Sequence, residues 1–290
     1  MAAPHRPTAR RIALGHELRE LRKQAGLSIQ DAAEGMSFSD TKLQRVETGL
    51  QDLRSAGDLR KLLDRYGVTD EDEVERLVET QRDASSQEWW SPHAANMNPG
   101  MPRFLGIESA AQEIRAYHPT IVLGLLQTEA YARTRHQTAK AIDETTTEFV
   151  NDGVKVRMMR KEALTREDEP LRLWVILYEP ALRHVVGDVE VMREQYDEIE
   201  RLAGRNNVTV QVLPQAMRGH LFVHDFSILN LGGKLPTTVQ LDTAFGTASV
   251  ADKPREVGRF SRHFEALSRS ALPPEDTPKF LHQLAREISE

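Results

Sequence analysis

Cysteine is absent from the 290 residues. Disulfide staples, thiol catalysis and Cys-ligated zinc are therefore excluded together, and the composition suits a reducing compartment. No apolar run approaches the roughly 20 residues that a membrane-spanning helix requires. No apolar segment follows the charged stretch from Met1 to Arg11 either, so neither a membrane association nor a secretory signal is expected and a cytoplasmic location is. A Gly-x-Ser-x-Gly elbow, a phosphate loop and a dinucleotide fingerprint are all missing. The acidic residues are scattered over helices as solubilising faces, so the expectation is a protein that is not an enzyme, with no catalytic residue and no cofactor. His220 and His224 stand four apart, a spacing that joins two metal ligands on a helix. Phe222-Val223 and the alternation after them favour an extended segment instead, where four residues span about 13 Å, and no metal site is expected.

What is present fits a globular chain: 39% hydrophobic and 28% charged residues. The length suits about two domains, each able to bury a core, since a domain of about 150 residues hides roughly 68–70% of its unfolded surface. The net charge of −6 conceals a division: residues 1–66 hold 12 Lys/Arg against 9 Asp/Glu, and the remainder holds 26 against 35. A basic N-terminal end and an acidic body let one end face a polyanion while the other faces away.

Apolar Ile12, Leu14, Leu18 and Leu21 predict a first helix over 12–25, stopped by Gly26. Ser28 can cap a second helix, Ile29 to Met36, with a small face of Ala32, Ala33 and Met36. Ser39 can cap a third, running through Thr48 to Gly49, with Leu43 and Val46 inward and Asp40, Thr41, Lys42, Gln44 and Arg45 outward. Ser55 or Gly57 opens a fourth, bearing Leu59, Leu62, Leu63 and Tyr66. Thr69 with Asp72 reads as a capping-box start for a fifth.

Residues 85–103, with Trp89-Trp90, Pro92, Pro99 and Pro102, read as a linker or an extended docking segment. Its tandem Trp either pins the strand to a neighbouring domain or meets a ligand. Beyond it the expected elements are helices at 108–117, 127–140 and 146–165, a strand Leu171 to Leu177, and helices at 179–185 and 188–203. Strands follow at 208–212, 226–231 and 238–241, with Gly232-Gly233 in a turn, then helices at 252–270 and 276–289. This order predicts an α+β protein overall, an all-α N-terminal bundle followed by a larger α+β domain on a small mixed sheet. The expected division is 1–84, 85–103 and 104–290.

A rigid helix whose outer face carries Ser39, Thr41, Lys42, Gln44 and Arg45 can enter a major groove and contact base edges or phosphates. Asp40 is repelled by phosphate and serves by accepting from a cytosine amine or by orienting Arg or Lys. The run Gly15 to Gly49, GHELRELRKQAGLSIQDAAEGMSFSDTKLQRVETG, resembles the Xre/Cro-type helix-turn-helix, with Arg45-Val46-Glu47-Thr48-Gly49 as its most specific part. The resemblance implies binding to double-stranded DNA, a structural Glu47 that ties the third helix to the first, and a phosphate anchor at the start of the second. Ile29 departs from that pattern, and Gln30 is the substitute.

Three further runs, Gly124-Leu-Leu-Gln-Thr-Glu-Ala-Tyr-Ala-Arg133, Glu179-Pro-Ala-Leu-Arg183 and Val208-Thr-Val-Gln-Val-Leu-Pro214, are similar to the domain that follows the helix-turn-helix in Scr-type antitoxin-like regulators of actinobacteria. That resemblance implies a transcriptional regulator, often linked with a small partner protein encoded nearby. Gly124 permits a close approach before a helix that Thr128 can cap. Gln127, polar in apolar surroundings, either locks the fold or faces a pocket. Gly124, Gln127, Thr128, Tyr131, Arg157 and Arg160 are the candidates for binding a partner or ligand. The basic segment Lys155, Arg157, Arg160, Lys161 and Arg166 reads as a solvated helix face or, alternatively, as a partner or DNA-backbone surface. The whole predicts a homodimeric, sequence-specific transcription factor whose C-terminal domain responds to a partner or ligand. The alternative is an antitoxin-like protein that sequesters a small partner and autoregulates.

Overall fold

The computed structural model describes residues 7–85, 88–217, 219, 222–233, 235–243, 246–251 and 253–288. The chain forms two compact units: residues 1–91 with 106–110, and residues 92–105 with 111–290. The helix Met101–Ala110, α6 below, contributes residues to each.

The first unit is all helical: α1 (Pro7–Gln24), α2 (Ile29–Ala33), α3 (Asp40–Glu47), α4 (Ala56–Arg65) and α5 (Glu71–Ala84). Its core collects Leu14, Leu18, Leu43, Val46, Leu59 and Leu77, all buried. Burying each such leucine contributes about 1.5–3 kcal/mol relative to exposure. Ser28 forms a full capping box with Asp31, and Ser39 and Ser55 cap α3 and α4. Two expectations need correcting. Helix α5 is capped by Asp70, which accepts from the Glu73 amide at 3.0 Å, so the Thr69–Asp72 box does not form. Helix α2 ends at Ala33 and not at Met36, because Arg65 donates to the carbonyls of Asp31 and Ala32 at 3.1 and 3.2 Å and to that of Glu34. A guanidinium from α4 thus satisfies carbonyls that a longer helix would have paired.

The region read as a linker is not extended. It holds a 3-10 turn, Ser91–Asn96, and the start of α6 (Met101–Ala110). Trp90 is buried, and Trp89 donates to Ser109 Oγ at 3.2 Å within the first unit.

The second unit is built on one six-stranded sheet: β1 (Glu113–His118), β2 (Arg172–Tyr178), β3 (Val208–Leu213), β4 (Phe226–Asn230), β5 (Thr238–Thr243) and β6 (Gly246–Ala251). The order is β3-β2-β1-β4-β5-β6. β1, β2 and β3 run parallel, whereas β4, β5 and β6 are antiparallel to their neighbours, so the sheet is mixed as expected. β1 occupies part of the span predicted as helix 108–117, and β6 is an unforeseen strand. The helices are α7 (Glu129–Lys140), α8 (Thr147–Thr165), α9 (Glu179–Arg183), α10 (Val189–Ala203), α11 (Pro254–Ser270) and α12 (Thr277–Glu287). Gly232 and Gly233, both at positive φ, lie between β4 and β5.

One sheet face packs Tyr117, Ile176, Phe226, Ile228 and Val239 against Phe264 and Leu267 of α11. Register places Ala116, Ser227 and Gln240 side by side on the opposite face. The edge strand β3 has backbone carbonyls covered: Val210 accepts from Thr277 Oγ1 and Val212 from the Leu272 amide, each at 2.8 Å. Such cover removes an open edge that could pair with another chain.

Candidate functional site

Helix α3 is held by its inner face. Leu43 and Val46 are fully or nearly fully buried, and Glu47, also buried, receives a bidentate pair from Arg22: Nε to Oε1 at 2.6 Å and Nη2 to Oε2 at 2.9 Å. Arg22 also donates to the Leu27 carbonyl at 2.7 Å, so one side chain joins α1, the α1–α2 turn and α3. The hydrogen bonds it donates to Glu47 push Arg22 above its already high ordinary range. Helices α1 and α3 approach closely at Gly15, where an added Cβ would sit 2.2 Å from the Val46 carbonyl oxygen.

With the inner face fixed, the outer face is determined. Ser39, Asp40, Thr41, Gln44 and Arg45 are exposed, as is Gln30 at the second position of α2. Lys42 is half-buried, its Nζ 5.7 Å from the Phe38 ring centroid. Ser39 Oγ accepts from the Lys42 amide at 3.2 Å, and Asp40 Oδ1 accepts from the Thr41 amide at 2.6 Å. This cap uses Ser39 Oγ only as an acceptor, while Asp40 is engaged in the first turn. Ile29 packs partly buried against the core, which leaves Gln30 as the outward polar residue of that turn.

The second unit contains a polar cavity at the carboxyl end of β1. Continuing the register by one step beyond Ala116, Ser227 and Gln240 brings His118, Asp225 and Asp242 to that end of the sheet. Arg135 of α7 and Arg157 and Arg160 of α8 line the same cavity, with Phe104 and Leu123 as apolar wall. The Arg160 guanidinium lies over the Phe104 ring, 5.2 Å from its centroid. The cavity volume is about 50 Å³. A second cavity of about 160 Å³ shares Met101, the three arginines and Asp242, and reaches His136 and Phe149.

Burial, reinforced by Arg160, Arg157 and Arg135, pushes His118 down to about 4, with Asp242 pulling the other way. Burial and then Arg157 and Arg135 take His136 to about 4 as well. Asp225 is pushed up to about 6 by burial and by Asp242. At neutral pH the two imidazoles are therefore uncharged.

The six candidates of the C-terminal half divide. Gly124, Arg157 and Arg160 line the cavity. Gly124 lets the arginines close in, since a Cβ there would meet Arg157 Nη1 at 2.6 Å and Arg160 Nη1 at 3.1 Å. Gln127, Thr128 and Tyr131 are buried outside that lining. Gln127 Nε2 donates to the Val122 carbonyl at 2.7 Å, and Thr128 Oγ1 caps α7 by accepting from the Tyr131 amide at 3.1 Å. Gln195 of α10 clasps the same turn, accepting from the Thr128 amide at 2.9 Å and donating to the Leu126 carbonyl at 2.8 Å.

The basic segment is not one solvated face. Lys155 is exposed, but Arg157 is half-buried, Arg160 is buried, and Lys161 pairs with Glu198. Arg160 shares the buried stripe of Val150, Val154 and Leu164, and a cation at core spacing is the signal that points inward. His118, Arg135, Asp225, Gln240 and Asp242 carry no motif; the sheet register brings the other four together, and α7 brings Arg135 to them. His220 lies outside the described residues. Among the described residues no three His, Asp or Glu side chains are placed to hold a metal ion, and no helix is long and apolar enough to cross a membrane.

Two family models match parts of the chain. A helix-turn-helix domain matches residues 13–77, which supports DNA as a partner. No curated protein and no solved structure matches the chain. A second family, described as Domain of unknown function (DUF5753), matches residues 101–283. That match spans more than half of the sequence, and the chain belongs to this family.

Proposed function

We propose that the protein is a sequence-specific, DNA-binding transcriptional regulator, not an enzyme, whose C-terminal domain responds to a ligand or partner. The observation that carries this reading is the Arg22–Glu47 clamp, which fixes α3 by its inner face and leaves Ser39, Thr41, Gln44 and Arg45 outward. A helix seated in this way can lie in a major groove while α2 crosses the backbone. In this reading two copies pair in the cytoplasm and read half-sites about 34 Å apart, or a multiple of that spacing. The similarity of the runs at Gly124, Glu179 and Val208 to Scr-type antitoxin-like regulators supports a small partner protein. Co-purification of such a protein with the full chain at fixed stoichiometry tests that part.

The DNA reading is tested by selecting duplexes from a random pool and titrating the winner at several salt concentrations. Affinity falls with a log-log slope of about −0.9 for each phosphate neutralised. Arg45→Ala and Lys42→Ala each weaken binding to the selected duplex more than tenfold. Unselective binding by the native chain, or unchanged affinity in both variants, overturns the proposal.

A further inference from the structure

Two buried side chains of the cavity at the end of β1, His118 and Gln240, leave polar atoms unpaired among the described residues. His118 is 6% exposed and lines the cavity, yet among the described residues neither ring nitrogen has a hydrogen-bond partner. Gln240, 3% exposed, lines it too, and its Nε2 has no partner among the described residues. Buried polar atoms in folded proteins are nearly all paired, so two such side chains in one cavity point to a polar guest. Three guanidinium groups face the same space, with Asp225 and Asp242 as the acids of its lining. Among the described lining residues three guanidinium groups stand against two carboxylates, a balance that favours an anionic guest.

Donor count separates the anion classes. A carboxylate offers two oxygens, whereas Arg135, Arg157, Arg160, Gln240 and His118 present donors from five side chains. A phosphate group, with three terminal oxygens and close to two charges, suits such a set, and guanidinium groups bind it in forked pairs. The cavity volume of about 50 Å³ suits the phosphate group itself, and the adjoining cavity of about 160 Å³, which shares Met101 and the three arginines, leaves room for an organic portion. We propose that this cavity binds a small phosphate-bearing molecule, gripped by Arg135, Arg157 and Arg160 and met by His118 and Gln240. Gly124 belongs to the same device, because a side chain there would fill the position that Arg157 takes.

The assignment names the ligand class for the receiving half of the proposed regulator. It rests on that reading only for its biological use, since the binding is measured without DNA. Failure here leaves selective DNA binding standing, and failure there leaves this site standing.

The test is equilibrium dialysis of the full chain against labelled inorganic phosphate and, separately, phenyl phosphate at constant ionic strength. The expected result is saturable uptake of about one phosphate group per chain. Arg135→Met and Arg157→Met each weaken it at least tenfold, as expected when one partner of a desolvated charge pair is removed. Lys155→Met, at an exposed position on α8, leaves it unchanged. Tighter uptake of phenyl phosphate assigns an organic phosphate; equal uptake assigns the free ion. Should the arginine variants fail to fold, the His118 ring-nitrogen resonances of the native chain decide, and they shift as phosphate saturates. No saturable uptake of either probe, equal uptake in native and arginine-variant chains, or unmoved His118 resonances overturns the proposal.

Discussion

The Arg22 guanidinium grips both oxygens of the Glu47 carboxylate at 2.6 and 2.9 Å, so α1 sets the position of α3. Both residues are buried, at 8% and 5% exposure. Glu47→Ala therefore strands a buried cation and is expected to destabilise the first unit by about 3–5 kcal/mol, since breaking a buried pair costs more than the pair itself is worth. Arg22→Met with Glu47→Leu together should recover most of that loss. Hydrogen exchange at the Leu43 and Val46 amides measures both. A double variant as unstable as the single one would contradict the clamp.

Gly15 is the second constraint on the same crossing. A Cβ placed 2.2 Å from the Val46 carbonyl oxygen meets backbone, which cannot rotate away. Gly15→Ala should move α3 off α1, with a cost of about 1–3 kcal/mol by overpacking and a parallel loss of DNA affinity. Retained stability and affinity in this variant would show that the helices do not cross there.

Ser39→Ala removes the acceptor for the Lys42 amide. The expected cost is about 1 kcal/mol, and Ser39→Asp should restore it, because either side chain accepts at an N-cap. Only the serine keeps a hydroxyl for phosphate, so the aspartate variant should recover stability in urea titrations without recovering DNA affinity.

Acid should loosen the second unit. His118 and His136 sit near 4 in the folded chain against about 6.5 unfolded. Between about pH 6.5 and 4 the unfolded state therefore binds protons that the folded state does not, and stability falls as the pH drops. Asp225 acts in the opposite sense between about pH 6 and its ordinary 3.8, holding a proton when folded that it loses when unfolded. Two imidazoles outweigh one carboxyl, and the net slope is destabilising. His118→Phe should reduce the loss of urea stability between pH 7 and 5 by about one proton's worth of slope. An unchanged slope would place His118 in water.

The first unit was largely legible because its signals are local. Serine caps, glycine stops and leucines at helical spacing lie within a few residues of the features they determine, and even the Glu47 tie follows from the motif resemblance. The sheet was harder to read. β1 pairs on both sides and buries Ile114, Ala116, Tyr117 and His118, so it lacks the clean alternation of a strand with one wet face and reads as helix. β6, spanning Gly-Thr-Ala-Ser-Val-Ala, has little apolar character and is defined by pairing with β5. Losing β1 meant losing His118. The basic run on α8 reads as a solvated face or a partner surface because charge suggests exposure, whereas the spacing of Arg160 with Val154 and Leu164 places it inside.

The claim on which the regulator reading depends is that the outer face of α3 touches DNA. Amide chemical-shift mapping of the full chain against the selected duplex tests it most directly. The account predicts that the largest changes fall on Gln30 and on Ser39 to Arg45, and that they fade as salt is raised. Saturating binding that leaves those amides unmoved would contradict it.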